Sequence, residues 1–169
     1  AIQQDTVAIT IGTSAGVRVI TDHPVIDPQE RLFCYAVDNG LWVVGGPLNN
    51  GGDVYQWAVE HLVTPSAVQN EQTDPFTLAN RVIEGEPAGA NGLIFLPFLG
   101  GERAPLWDAN ARGSFFGLNN LHTRADMLRA VMEGICMNIA TVYQAVCDLV
   151  GQPKSVTATG GFARAEVWR

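Results

Sequence analysis

Basic residues are scarce in this chain. Ten Lys and Arg, none adjacent to another, stand against seventeen Asp and Glu, for a formal net charge of −7. Nucleic acids and anionic membranes are held by clustered positive charge, so neither is an expected partner. An anionic ligand would have to be held by backbone amides, helix ends, single arginines or a metal ion. Long apolar runs are lacking too. The longest, Leu93 to Leu99, is interrupted by Pro97 and far too short to span a bilayer. The N-terminus shows no basic segment followed by an apolar core, so no secretory leader is read there. Only three cysteines occur, Cys34, Cys136 and Cys147. Their number is odd and their spacing does not suit a metal, so free, buried thiols in a reducing cytoplasm are expected.

What is plentiful is apolar. Hydrophobic residues make up 47% and charged residues 16% of 169 residues, enough for one globular domain with a sizeable core. Eighteen glycines and nine prolines mark a turn-rich α/β chain.

The most informative stretch is Val7 to Ile20. Two runs rich in β-branched residues flank Gly12-Thr13-Ser14-Ala15-Gly16, which reads as a β-hairpin. Its tip is either an ordinary turn or a phosphate cradle, because glycines permit close approach, successive N–H groups suit an anion, and Thr13 and Ser14 add hydroxyls. A second glycine turn, Gly160-Gly161, follows the strand-like Ser155 to Thr159 where a helix should begin. Such a junction is also a phosphate site.

Between these bends the chain alternates. Leu32–Val37 and Leu41–Gly46 form a second hairpin across Asp38-Asn39-Gly40. A helix is expected from about Asp53 to Val63, with Asn49 and Asn50 as caps or ligand contacts. His61 has no metal-spaced companion and reads as a structural histidine. Asp74 and Pro75 open another helix. Leu93–Leu96 reads as a strand buried on both faces. The loop from Pro97 to Leu118 sets Glu102, Arg103, Asp108 and Arg112 among large apolar residues. It is either held by a structural ion-pair network or faces a ligand or domain. Thr123 to Asp126 is a capping box, and the helix behind it carries a core-facing stripe to about Val150, ended by Gly151 and Pro153. Both ends read as cut, the last one into a new helix, so a piece of a longer protein is expected.

Four elements, taken together, resemble the C-terminal domain of the FGGY carbohydrate kinases, and within them most closely the gluconate kinases. They are the Gly12-Thr13-Ser14 hairpin, Gly45 to Gly52, Gly101 to Trp107 with Ala111 to Leu118, and Ala158 to Arg164. The resemblance spans the chain in the family's order. It implies an α/β fold of the ribonuclease-H-like (actin/hexokinase-like ATPase) type, a mixed sheet with initial antiparallel hairpins and flanking helices. It implies ATP and Mg²⁺ as cofactors and a sugar or sugar acid as substrate, with gluconate first and xylulose or another polyol as the alternative. A non-catalytic relative using the cleft as a sensor is a further alternative. By the same resemblance Gly12 and Thr13 would contact the β/γ-phosphates, with Ser14 also among the nucleotide-binding residues, and Gly160 and Gly161 would approach the α-phosphate and adenosine. Leu121 and Ala125 would line the adenosine side, and Ala165 stands where relatives often carry an asparagine against adenine. The family's catalytic aspartate would precede Ala1, as would a whole N-terminal domain, the expected partner besides a second copy. The chain alone is therefore expected to be inactive.

Overall fold

The computed structural model describes residues 5–38, 40–63 and 74–168. Two hairpins open it, as the glycine turns require. Strand β1 (Thr6–Ile11) pairs antiparallel with β2 (Ala15–Thr21). β2 pairs with β4 (Leu41–Leu48), and β4 with β3 (Phe33–Asp38). Asn39, in the turn of the second hairpin, lies outside the described residues. The chain returns to this sheet only at its far end, where β7 (Ser155–Gly160) lies parallel to β1, giving the order β3-β4-β2-β1-β7. A parallel partner needs a long crossover, and the intervening helices provide it.

Helix α1 (Gly52–Leu62) follows β4 directly. α2 (Pro75–Glu84) has Pro75 in its first turn and Asp74 as N-cap, whose carboxylate accepts from Thr77 N; Thr73 lies outside the described residues. α3 (Arg124–Val150) is the long crossover helix. Its capping box forms as expected: Thr123 Oγ1 accepts from the N–H groups of Ala125 and Asp126, and the Asp126 carboxylate accepts from Thr123 N at 2.6 Å. By length and composition α3 matches a membrane span, but most of it is buried here. Its stripe of Leu128, Val131, Ile135, Val142 and Val146 packs with Val7, Val17 and Val44 of the sheet and Val54 and Ala58 of α1 in one core.

Two expectations need correction. The Leu93–Leu96 run is not a strand covered on both sides. It forms β5 (Ile94–Leu96), which pairs antiparallel with β6 (Ser114–Phe116) in a separate two-stranded sheet. Only Phe95 points inward, while Ile94 and Leu96 are 55% and 43% exposed. The run is apolar because one side packs on α3, not because it is central. Among the described residues after Gly160 the expected helix is not seen; two 3₁₀ turns, Gly161–Arg164 and Glu166–Trp168, stand there instead.

Candidate functional site

The parallel pairing of β1 and β7 brings the two glycine bends together. Ile11 is the partner of Gly160, so Gly12 and Gly161 leave the same end of neighbouring strands. Gly160 has φ +122° and a Cβ there would collide with the Ile11 carbonyl, so only glycine lets β7 finish this close to β1.

The start of α1 holds the first bend. Gly52 N donates to Gly12 O at 2.7 Å and Asp53 N to Thr13 O at 3.1 Å, while Gly12 N donates to Ser14 O within the turn. Gly52 must be glycine for this contact, since a Cβ would stand 2.6 Å from Gly12 O. Asn49 and Asn50, read as caps or ligand contacts, do not cap α1. The N-cap is Gly51, whose N–H is met by the Asp53 carboxylate at 2.9 Å. The two asparagines turn the other way, toward Gly100 and Gly101, because the loop after β5 passes beside them.

Between the bends lies a cavity of about 340 Å³. Gly12 and Thr13 line one side and Gly161, Phe162 and Ala165 another; α1 adds Gly52, Asp53, Tyr55 and Gln56, and α2 adds Phe76 and Asn80. Rings make its wall. Trp168 meets Tyr55 edge-on at 4.9 Å, and Phe76 and Phe162 stand 6.1 and 6.2 Å from Tyr55 and Trp168 respectively. The Tyr55 hydroxyl donates to Asn80 Oδ1 at 2.7 Å. Burial pushes this phenol far above its ordinary pKa, so it stays a neutral donor. A polar glycine rim beside an aromatic wall suits a ligand with an anionic end and a flat, apolar end.

Of the residues singled out in the sequence, Gly12, Thr13, Gly161 and Ala165 line this cavity. Ser14 and Gly160 adjoin it as the end of the turn and the last residue of β7. Leu121 and Ala125 do not line it. Leu121 is 82% exposed in the turn before α3, its N–H donating to Asn119 Oδ1, and Ala125 lies in the first turn of α3. The aromatic wall escaped the sequence reading. Tyr55 and Phe76 sit on helices far along the chain from Gly12 and from Gly161, and nothing in their spacing marks them as facing a ligand.

The charged loop is not an ion-pair network. Glu102 is 2% exposed, and among the described residues it contacts no cationic side chain. Its Oε1 accepts from Asn49 N at 2.6 Å and Arg103 N at 2.8 Å; its Oε2 accepts from Asn50 Nδ2 at 3.0 Å and Asn138 Nδ2 at 2.6 Å. Arg103 donates to Leu48 O and Arg112 to the carbonyls of Ala109 and Ala111.

The C-terminal-domain pattern of the FGGY family of carbohydrate kinases matches residues 7–169. The chain belongs to this family. It is similar to a gluconokinase of Bacillus subtilis, at 42% identity over all of this chain and 34% of the relative. Among solved structures it resembles two from Lactobacillus acidophilus. One, described as a ligand-bound xylulose kinase, has TM-score 0.89 and 44% identity over 100% of this chain and 33% of the other. The second, described as a gluconate kinase, has TM-score 0.88 and 43% identity with the same coverage. This FGGY chain thus spans about a third of the length of its relatives. The expected mixed α/β fold with its opening hairpins is the observed one, shared with these kinases.

Proposed function

We propose that this chain is the nucleotide-binding half of an ATP-dependent carbohydrate kinase, the C-terminal domain of a two-domain protein. The observation that carries the reading is the meeting of the Gly12 and Gly161 bends across one cavity with a ring-lined wall. The residues fit the nucleotide. Gly12, Thr13 and Gly161 offer backbone and hydroxyl groups for phosphates, and Tyr55, Phe76, Phe162 and Trp168 offer apolar surface for a base. Leu121 and Ala125 have no part in this assignment. Among the described residues no group of His, Cys, Asp or Glu is arranged to hold a metal. Mg²⁺ would therefore come with the polyphosphate oxygens, its usual hard ligands.

Bound ATP supplies the transferable γ-phosphoryl group. The chain's own share is to orient the phosphates against the tip of the hairpin and to keep water from the base. Phosphoryl transfer rests mainly on such positioning. The acid at the cavity, Asp53, already accepts from Gly51 N and Val54 N at 2.9 and 2.8 Å, which ties it to the start of α1 and suits it poorly as a base. We assign the sugar and the base to the N-terminal domain of the full-length protein. Gluconate is the proposed substrate on the strength of the 42% identical gluconokinase; xylulose is the second reading, favoured by the 44% identical structure described as a xylulose kinase. We place the protein in the cytoplasm, where its three free thiols, Cys147 buried and Cys34 and Cys136 only half-buried where burial was expected, would stay reduced.

Two measurements test this. Calorimetric titration of the chain with MgATP should show one site and no turnover with gluconate added. A panel of gluconate, xylulose and glycerol with the full-length protein should show the highest kcat/KM for gluconate. A chain without nucleotide affinity overturns the first part, and a preference for xylulose the second.

A further inference from the structure

The geometry points to Glu102 as the positioning residue of the nucleotide site, acting through the Asn49–Gly52 turn on the tip of the β1–β2 hairpin. This rests on the nucleotide reading of the cavity. Glu102 touches no part of the cavity itself. Its two oxygens gather donors from three separate elements: the turn after β4 through Asn49 and Asn50, its own loop through Arg103, and α3 through Asn138. The next bonds in the chain of contacts reach the site. Asn50 Nδ2 also donates to Gly101 O at 2.6 Å and its Oδ1 accepts from Gly100 N at 3.2 Å, so the side chain is held at every polar atom. Two and three residues on from Asn50, Gly52 N and Asp53 N fix the carbonyls of Gly12 and Thr13. A single buried carboxyl group therefore sets where the phosphate-facing turn stands relative to α3 and the core.

All four partners of Glu102 donate, so both of its oxygens must accept. Glutamine has the same shape but presents one NH₂ in place of an acceptor. Asn138 can answer by turning its amide around. Asn50 cannot, because its oxygen is committed to Gly100 and its nitrogen to Gly101. Whichever way its amide lies, Glu102→Gln therefore loses one of the two bonds to the 49–52 turn, from Asn49 N or from Asn50 Nδ2, while the arm to α3 can be kept. Asn138→Leu does the reverse.

The test compares wild-type chain, Glu102→Gln, Asn138→Leu and Val146→Ala, the last a core truncation in the C-terminal half of α3. MgATP affinity is read by calorimetry, melting temperature by circular dichroism, and amide exchange by mass spectrometry. Glu102→Gln should weaken MgATP about tenfold or more, the scale of one charge-assisted hydrogen bond, and speed exchange at 49–53 and 12–16 ahead of the rest of the chain. Asn138→Leu should weaken it less. Val146→Ala should lower the melting temperature and leave affinity unchanged. Affinity in Glu102→Gln within about twofold of wild type, or exchange that quickens evenly along the chain, overturns the proposal. If wild-type chain binds no MgATP, the nucleotide reading falls by itself; exchange at 12–16 then decides whether Glu102 sets the turn, and an unchanged rate there rejects it.

Discussion

Asp27 and Glu102 are both buried carboxyl groups, 4% and 2% exposed, and the chain accommodates them in opposite ways. Asp27 sits in the loop between β2 and β3 and finds its partners within four residues. Arg31 grips it with Nε at 2.9 Å and a second guanidinium nitrogen at 3.2 Å, and Gln29 N and Arg31 N donate as well. Arg31 also reaches Asp148 near the end of α3 at 3.2 Å, which latches the loop to the helix. Glu102 pairs with no cationic side chain among the described residues. Its partners are neutral amides, and three of the four come from other elements of the chain. An ion pair is tolerant of small shifts and sensitive to charge. A ring of neutral donors is sensitive to geometry, because each N–H left without an acceptor in the interior carries its full desolvation cost. The first arrangement serves a loop on the periphery, and the second serves the place where three elements meet beside the cavity.

Glu102→Ala should break the comparison most severely. It leaves four donors without an acceptor and a void among Asn50, Asn138 and the loop. A loss of about 4 kcal/mol or more is expected, enough to abolish a cooperative urea transition in a domain of ordinary stability. A clear two-state transition with a midpoint near wild type would mean that water replaces the carboxyl group and that the network is not demanding.

Asp27→Asn should cost about 2 kcal/mol at pH 7, the scale of hydrogen bonds to a charged group. It should also change how stability responds to acid. The Arg31 guanidinium holds the Asp27 carboxyl below its ordinary pKa, with the Gln29 and Arg31 N–H groups adding to the effect and burial opposing it. A carboxyl whose folded pKa is depressed stabilises the fold above its unfolded value of about 3.9, and that stabilisation is lost as pH falls through the folded value. Denaturation midpoints of wild type and Asp27→Asn should therefore differ at pH 7 and converge below about pH 4. Curves that stay parallel into acid would sink the ion-pair account.

Thr123→Ala tests a third buried acid, Asp126, 3% exposed, whose partners are the N-cap of its own helix and Asn91. The Thr123 N–H and hydroxyl and the Asn91 amide hold this carboxyl below its ordinary pKa. Loss of the hydroxyl should cost about 1 kcal/mol, as N-cap substitutions do, read from the same urea curves. It should leave nucleotide affinity unaltered, since α3 begins away from the cavity.

These three acids also show what the sequence discloses. The capping box at Thr123–Asp126 was legible because both partners lie within one turn of chain. So were both hairpins and the stripe of α3, whose signals are equally local. The meeting of Gly12 with Gly161 was legible only through the family's pattern, since pairing of β1 with β7 is a contact across the whole chain. Glu102 was visible as a charge among apolar residues, but its partners, Asn49, Asn50 and Asn138, carry no mark that aims them at it. The same holds for the ring wall: Tyr55, Phe76 and Trp168 converge because of where α1, α2 and the last 3₁₀ turn pack. Leu93–Leu96 misled because a continuous apolar run does not tell a central strand from one side of a small sheet lying on a helix.

The smallest expected effect sharpens the comparison from the exposed side. Lys154 Nζ lies 2.7 Å from Asp5 Oδ2, a shorter contact than any Arg31 makes with Asp27, but the two side chains are 83% and 57% exposed. In water such a pair gains little, because solvent already satisfies both charges and salt screens what remains. The junction of β1 and β7 at this end is held by Lys154 N donating to Asp5 O at 2.8 Å and by the Thr6 and Ser155 hydroxyls at 2.9 Å, and Lys154→Met leaves both in place. Lys154→Met should leave the urea midpoint unchanged within error at both low and high salt. A shift comparable with that of Asp27→Asn would show that contact distance, and not burial, decides what a charged pair contributes in this fold.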